Sequence, residues 1–218
     1  MEKLIYRLTM HRNKNFFIQK YSEEWYEIFC KKSEQKFRDI LPKMPHIGES
    51  IFSFNYKFAP SYIAWYSTFL EMNVPKQEID SNIWSMHENL VSIIPKNILK
   101  KYGKAYFNSF RKKAAAHVRK QDSVGLNPYD WQIEYQDLDD NSFEIIIKTC
   151  GFKKLAKEYN VEGLLPGICR MDYLFANMMD NGFERTKTLG DNDDCCNGIY
   201  RMTGSCEWAP EKGFEDRK

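Results

Sequence analysis

The hydrophobic pattern of the chain changes at Asn127-Pro128, and this change limits the folds that the chain can adopt. Upstream, apolar side chains recur every three to four residues, which is the spacing of one helix face. Downstream, residues 131–149 alternate apolar and polar side chains on both sides of Asp139-Asp140-Asn141-Ser142, as in a β-hairpin. We therefore predict an α+β fold, in which a mainly helical N-terminal half packs on a small antiparallel β-sheet.

The same spacing, together with turn residues, predicts the individual elements. In the N-terminal half the predicted helices are 16–41, 60–72, 81–94 with Ser81 as N-cap, and 95–116. After the hairpin the predicted elements are helices 152–159 and 169–180 and strands 183–189 and 198–202. We divide the chain into a helical region (1–126) and a sheet region with cysteine-containing helices (127–206), which form one integrated domain, and a frayed polar tail (207–218).

Positive and negative charges are nearly balanced, with 32 Lys and Arg against 30 Asp and Glu. The composition therefore gives no global attraction to nucleic acid. Nine basic residues and no acidic residue lie within 96–120, mostly opposite the apolar positions. We interpret this segment as a solvated helix face; the weaker alternatives are a nucleic-acid stripe, or cations that recruit an anionic small molecule.

The N-terminal segment is interrupted by charges, and no apolar run approaches the ~20 residues that span a bilayer. We therefore expect a cytoplasmic protein with no nucleic-acid or membrane partner. Thiols stay reduced in that compartment, so the six cysteines are expected to be free. Because they lack the paired spacing of a structural zinc site, we predict no metal and no cofactor.

Two cysteines are predicted at helix starts, where free N–H groups and the helix dipole favour a thiolate: Cys150 and Cys169. Asp172 and Tyr173 follow Cys169 by three and four residues and so share its helix face. A thiol, a carboxylate and a phenol together could supply a nucleophile and acid–base groups. The alternative is that Cys169 only packs. His87, on a predicted helix, is expected to be a structural histidine.

Two segments carry a family resemblance: TCGFKKLAKEYNVEGLLPGICRMDY (149–173) and FERTKTLGDNDDCCNGIY (183–200). They resemble the L-2-amino-thiazoline-4-carboxylic acid hydrolase family, and the resemblance covers roughly residues 131–202. Family members show a strand ending near a cysteine, a Cys-x-x-Asp helix start, an Arg-Thr-x-Thr-Leu strand and a turn into a final cysteine, commonly Cys-Asp-Phe. Here that final cysteine is Cys195 or Cys196. We favour Cys196, which directly precedes the last strand, and Asn197-Gly198 replaces Asp-Phe.

The resemblance implies a cysteine-dependent hydrolase that cleaves a non-peptide C–N bond by opening a cyclic amidine, 2-amino-thiazoline-4-carboxylate. Cys169 or Cys196 would be the nucleophile and Asp172 the proton carrier. Substrate-binding roles are expected for Cys150, Tyr173, Arg185, Thr186 and Thr188. Arg185 would hold the substrate carboxylate in a bidentate pair. Alternation along a strand places Arg185 and Thr188 on opposite faces, which conflicts with a shared pocket.

Two alternatives to this hydrolase stay open at the level of sequence. The C-terminal third is also similar to vinyl-reductase-type ligand-binding domains, which would make the protein a small-molecule sensor without catalysis. The other alternative is a metal-dependent member of the hydrolase family, in which Cys150, Cys169 and Cys196 are the ligands.

Overall fold

The computed structural model describes residues 1–206, so the predicted tail lies outside the described residues. The helices are α1 (Glu2–Lys20), α2 (Glu23–Ile40), α3 (Ser53–Tyr56), α4 (Ala59–Glu71), α5 (Lys76–Val91), α6 (Lys96–Val124), α7 (Gly151–Glu158), α8 (Leu165–Cys169) and α9 (Met171–Met179). The strands are β1 (Gln132–Asp139), β2 (Ser142–Thr149), β3 (Gly182–Glu184) and β4 (Cys196–Arg201). Short 3₁₀ helices cover Leu41–Lys43, Glu162–Leu164 and Leu189–Asp191.

The four strands form one antiparallel sheet in the order β1-β2-β4-β3. β1 and β2 make the predicted hairpin, in which Asp139 lies opposite Ser142 across the turn. β4 lies between β2 and β3 and pairs Tyr200 with Phe143 on one side and with Phe183 on the other. The predicted α+β class, with a helical N-terminal half on a small antiparallel sheet, is confirmed.

The long helix α6 packs its apolar side chains on the sheet. The ring of Phe107 lies 5.0 Å from that of Phe143, and the ring of Phe110 lies 5.2 Å from that of Tyr200. Ring pairs at these separations add to the stabilisation from burial alone. The lysines of α6 are mostly exposed, as expected for a solvated helix face. Among the described residues, no helix is both long and apolar enough to cross a membrane.

Several helix boundaries in the N-terminal half differ from the prediction; α1 begins at Glu2, and α6 continues to Val124, eight residues beyond its predicted end. Segment 16–41 is not one helix, because α1 ends at Lys20 and Ser22 caps α2 by accepting the N–H of Trp25 at 3.0 Å. Such a cap satisfies one of the free donors at a helix start. The helix predicted to begin at Ser81 begins five residues earlier, directly after Pro75, so Ser81 is not its N-cap.

The helix predicted over 169–180 is in fact two helices. Pro166 lies in the first turn of α8, a position that suits proline, and so a helix begins earlier than predicted. Cys169 is the last residue of α8, whereas Asp172 lies in the first turn of α9. The prediction that Cys169 lies in the first turn of a helix is therefore wrong, and the helix dipole does not favour its thiolate.

The strand predicted over 183–189 ends at Glu184. Beyond it, the backbone N–H groups of Thr186 and Lys187 both bond to the side-chain oxygen of Asn197, at 3.1 and 2.6 Å, instead of continuing a strand ladder. Because residues 185–188 are not a strand, strand alternation no longer separates Arg185 from Thr188.

Candidate functional site

An aromatic cavity lies where α6 and α9 meet the sheet. Its rings come from Tyr106, Phe107, Phe110, Phe143, Phe175 and Tyr200. Its polar lining comes from Asn55, Asp172, Asn181 and Arg201. The cavity has a volume of about 40 Å³, enough for roughly three waters. The cavity therefore suits a small ligand, and its wall is mostly aromatic with few polar groups, as is common in binding sites.

A larger open groove of about 410 Å³ lies beside the start of α6. It is lined by Lys100, Lys101, Lys104, Met179, Asp180, Met202 and Thr203. Lys100 pairs there with Asp180 at 3.3 Å, and no predicted site residue reaches the groove. We therefore place the candidate site at the smaller aromatic cavity, which contains Asp172.

Arg185 holds Asp172 at the edge of this cavity. Its Nη1 donates to Asp172 Oδ2 at 2.9 Å, and its Nη2 donates to the backbone oxygen of Cys169 at 2.8 Å. The guanidinium also lies 5.2 Å from the ring centroid of Tyr173, within cation–π range. The arginine side chain is 3% exposed and the aspartate side chain 40% exposed. Asp172 is thus the member of the pair that a ligand can reach.

The surroundings of Asp172 change the acidity of its carboxyl and of nearby phenols. Burial raises the pKa of its carboxyl, and the Arg185 guanidinium opposes that rise. Burial also raises the pKa of three phenols, those of Tyr62, Tyr106 and Tyr200, and the Asp172 charge raises each pKa further. A carboxyl that holds its proton more tightly than usual, beside neutral phenols, fits a general acid or base.

Two thiols meet at the hydroxyl of Thr188. Cys196 Sγ lies 3.4 Å from Thr188 Oγ1 and accepts the N–H of Leu189 at 3.2 Å. The hydroxyl of Thr188 also bonds to the Cys169 thiol, which acts to lower the pKa of that thiol. A Cβ at Gly190 would lie 2.8 Å from Cys169 Sγ, so this position needs glycine for the turn to approach Cys169.

The Cys169 thiol is not activated by its surroundings alone. Burial raises its pKa to about 11, and the Arg185 charge only partly opposes this rise. Cys169 is therefore a neutral thiol at pH 7 and needs a base to become a nucleophile. Its sulfur is not part of the cavity wall; the link to the cavity runs from its backbone oxygen through Arg185 to Asp172.

Cys150 is the N-cap of α7, as predicted from the sequence. Burial nevertheless raises the pKa of its thiol to about 12, and the charges of Cys169 and Cys196 add to the rise. The three thiols therefore lie within electrostatic reach of one another. Within residues 1–206, no group of three or more His, Cys, Asp or Glu side chains is arranged to hold a metal ion.

The other predicted site residues have distinct positions. Tyr173 donates its phenol proton to the backbone oxygen of Arg185 at 3.3 Å, and Thr188 is fully buried. Thr186, by contrast, is exposed, and its hydroxyl accepts from the side-chain amide of Asn197 at 2.8 Å. The structure therefore brings Tyr173, Arg185 and Thr188 together with Cys169, Asp172 and Cys196, but it leaves Thr186 on the outer side of the loop.

Sequence reasoning missed a second buried ion pair beside the site. Arg170 joins α8 to α9, is 2% exposed and pairs with Asp191 at 3.0 Å. This ion pair holds the turn at Leu189–Asp191, which contains Gly190, in contact with α8. The available signal was an arginine flanked directly by Cys169 and Met171, two residues that pack in the core.

His87 has the structural role that was predicted for it. The ring is 1% exposed, with Nδ1 3.0 Å from the carbonyl of Ile83 and Nε2 2.8 Å from the hydroxyl of Tyr62. Burial lowers the pKa of His87 to about 4, so the ring is neutral at pH 7. The carbonyl of Ile83 can only accept, which makes Nδ1 the donor and leaves Nε2 to accept from Tyr62.

A family model described as L-2-amino-thiazoline-4-carboxylic acid hydrolase matches residues 55–200, which is more than half of the chain. The chain belongs to this family. The match begins in α3 and ends in β4, so the L-2-amino-thiazoline-4-carboxylic acid hydrolase model spans the cavity lining except Arg201, together with all three thiols of the site. The family name indicates a hydrolase. No curated protein sequence matches the chain significantly.

The family resemblance predicted from the sequence is thus confirmed, and the match also covers much of the helical half. The structure also gives Asn197 a definite role in the turn before β4. Its side-chain oxygen accepts the N–H groups of Thr186 and Lys187, so it holds residues 185–188 against the start of β4.

Proposed function

We propose that this protein hydrolyses a C–N bond of a cyclic amidine or a related small molecule, with Asp172 as proton carrier and Cys169 as nucleophile. The observation that carries the proposal is the ion pair of Asp172 and Arg185 at the edge of a small aromatic cavity, bonded in turn to the backbone of Cys169. Membership of a hydrolase family supports the reaction class.

Of the two candidate nucleophiles, the geometry favours Cys169 over Cys196. The sulfur of Cys196 accepts the N–H of Leu189 and so holds the turn at 189–191. Cys169 lies three residues before Asp172, and the charge of Arg185 favours its thiolate. We therefore assign the attack to Cys169 and a supporting role to Cys196.

The reaction needs one proton to move twice. The Cys169 sulfur lies outside the cavity wall, so the attack requires the substrate to reach beyond the cavity lining. Asp172 takes the proton of the Cys169 thiol through a water, and the sulfur electron pair then forms a bond to the amidine carbon. The C=N π electrons move to nitrogen. The lone pair of the second amidine nitrogen then forms a new C=N bond as the first C–N bond breaks, and the leaving nitrogen takes one proton from Asp172 and one from the second nitrogen. Water then adds to the same carbon and gives one proton to the remaining nitrogen and one to the sulfur, so that the C–S bond breaks, a C=O bond forms and the Cys169 thiol is released. The balance is one water consumed and one C–N bond broken.

The rival hypothesis is a small-molecule sensor without catalysis. It shares the cavity but needs no thiol chemistry, so turnover separates the two hypotheses. As parts of the proposal we retain a cytoplasmic location, a small-molecule substrate, and the absence of a nucleic-acid or membrane partner.

The test is incubation of purified protein with 2-amino-thiazoline-4-carboxylate and with unsubstituted 2-amino-thiazoline, followed by mass spectrometry for ring-opened products. We expect turnover that Cys169→Ala reduces at least a hundredfold. Cys30→Ala is the matched control, because Cys30 is a partly buried thiol in α2 and should keep full activity. Tight ligand retention without any product would favour the sensor. Full activity in Cys169→Ala would contradict the assigned nucleophile.

A further inference from the structure

The open groove beside the start of α6 adjoins the aromatic cavity. Met179 lines both of them, and Asp180 and Met202 of the groove are followed or preceded directly by Asn181 and Arg201 of the cavity lining. The groove has a volume of about 410 Å³ and the cavity one of about 40 Å³. A small molecule can therefore enter the groove whole, and from there it reaches the cavity by passing Met179.

Gly103 brings α6 into close contact with the end of α9. A Cβ at this position would collide with the backbone oxygen of Met179, so the approach of the two helices requires glycine. Lys100, Lys101 and Lys104 flank Gly103 along α6 and all line the groove. The close helix contact thus places three ammonium groups around the passage from the groove to the cavity.

The groove carries a net positive charge. Its lining contains these three lysines and one carboxylate, that of Asp180. Lys100 pairs with Asp180 at 3.3 Å beside the C-terminus of α9, where a cation is stabilising, and so has a structural role. Lys101 and Lys104 are exposed, and neither makes an ion pair or hydrogen bond with any residue of 1–206. Two positive charges are therefore available to a ligand.

The guanidinium groups at the cavity itself are already paired. Arg185 donates to Asp172 and to the backbone oxygen of Cys169, and Arg201 binds both carboxylate oxygens of Glu184, at 2.9 and 3.2 Å. A ligand carboxylate would have to displace one of these partners. The compound in the family name carries a carboxylate, and the groove offers it cations that need no displacement.

The shape of the groove distinguishes Lys101 and Lys104 from the other lysines of α6. Lys112 and Lys113 are equally exposed, but they line neither the groove nor the cavity, which makes them ordinary solvated charges. Charges of one sign in a concave site concentrate the electric field and raise the local concentration of the opposite charge. A field of this kind acts on a molecule before it binds.

We propose that the groove is the entrance for a substrate with a carboxylate, which Lys101 and Lys104 attract and direct past Met179 into the aromatic cavity. The inference rests on the proposed function and adds to it the residues that select for a carboxylate during entry. These two lysines take no part in the chemistry, so their removal should slow the arrival of the substrate and leave the reacting groups unchanged.

The test compares the double variant Lys101→Gln, Lys104→Gln with the matched control Lys112→Gln, Lys113→Gln. Line shapes of the ligand NMR signals give association rate constants in a Cys169→Ala background, for 2-amino-thiazoline-4-carboxylate and for its 4-carboxamide. At low salt we expect the groove variant to slow the carboxylate about threefold, because the amidinium of the same molecule offsets part of the attraction. It should not slow the carboxamide. In about 1 M salt, where charges act over about 3 Å, the effect should disappear.

The outcomes separate this inference from the proposed hydrolysis. Equal slowing of the carboxylate and the carboxamide, equal effects of the groove and control variants, or no binding of the carboxylate would each overturn the inference. Turnover is measured separately, in proteins that retain Cys169. The expected association pattern without turnover would refute the hydrolysis and support the entrance, whereas turnover together with association that the groove variant leaves unchanged would do the reverse.

Discussion

Arg185 and Asp172 form an ion pair that is buried at one end and open at the other, with 3% of the arginine and 40% of the aspartate side chain exposed at a distance of 2.9 Å. The pair therefore connects the interior of the protein to the cavity. Loss of the aspartate should therefore destabilise the protein, because it leaves the buried guanidinium of Arg185 without its partner.

Asp172→Asn is expected to lower the free energy of unfolding by about 2 kcal/mol. Breaking a fully buried pair costs about 3–5 kcal/mol, and the partial exposure of Asp172 reduces this value. Urea denaturation would measure the loss. The matched control is Glu34→Gln, which breaks the exposed pair of Glu34 and Arg38 on α2 and should cost no more than about 0.5 kcal/mol. Equal losses in the two variants would contradict the buried character of the Arg185 pair.

Cys196→Ala is expected to destabilise the protein by about 1–2 kcal/mol, because the N–H of Leu189 loses its acceptor. Cys196→Ser should recover part of that loss, since its hydroxyl can accept the same N–H. Thermal unfolding of both variants provides the measurement. Cys195→Ala is the neighbouring control and should cost less, as its thiol makes no bond to Leu189. A serine variant no more stable than the alanine variant would argue against the Leu189 hydrogen bond.

Stability is expected to fall as pH rises above about 9. Burial raises the pKa of Cys169 to about 11 and that of Cys150 to about 12, so the folded protein favours the neutral thiols. The unfolded chain loses these thiol protons near pH 9. The stabilisation that the neutral thiols give the folded protein is therefore lost as pH rises through their pKa values in the folded state. Urea midpoints at pH 8 and pH 10 should show a smaller decrease in the Cys150→Ala, Cys169→Ala double variant. An identical decrease would mean that other groups cause the alkaline loss.

Asp80 and His87 on α5 should give opposite pH dependences. Burial raises the pKa of Asp80 to about 6. The stabilisation of the folded protein by the protonated carboxyl is therefore complete below the pKa of the unfolded chain, near 4, and is lost as pH rises to 6. Burial lowers the pKa of His87 to about 4. The stabilisation of the folded protein by the neutral ring is therefore complete above pH 6.5, the pKa of an unfolded histidine, and is lost as pH falls to 4. The two effects offset each other in the wild type.

The measurement is the unfolding midpoint between pH 4 and pH 6.5. His87→Gln should flatten the loss of stability toward pH 4, whereas Asp80→Asn should steepen it. The exposed His11 provides the control, and His11→Gln should leave the slope unchanged. Slopes that change in the same direction in the Asp80 and His87 variants would contradict the assigned shifts.

The sequence was sufficient for the fold class and the hairpin, because apolar spacing reports directly on which face of an element is buried. Prediction from the sequence failed between Cys169 and Thr188, because side-chain hydrogen bonds there determine the backbone conformation more than the local apolar pattern does. The strand ends at Glu184 because the side chain of Asn197 accepts the N–H groups of Thr186 and Lys187, and a partner across the sheet leaves no local signal. The burial of Arg185 was invisible for the same reason, since it depends on Asp172 and the Cys169 carbonyl together.

The position of β4 has a consequence for biosynthesis. It is the last described strand in the chain but lies between β2 and β3, so the spatial order of the sheet differs from the order in which a ribosome makes it. Until β4 emerges, the β1–β2 hairpin has an open edge with unpaired backbone groups, and such edges invite pairing with other chains. Tyr200 reaches the cavity only when β4 inserts. The aromatic cavity is therefore completed late in synthesis, and the nascent protein must first protect a sheet edge that the mature protein conceals.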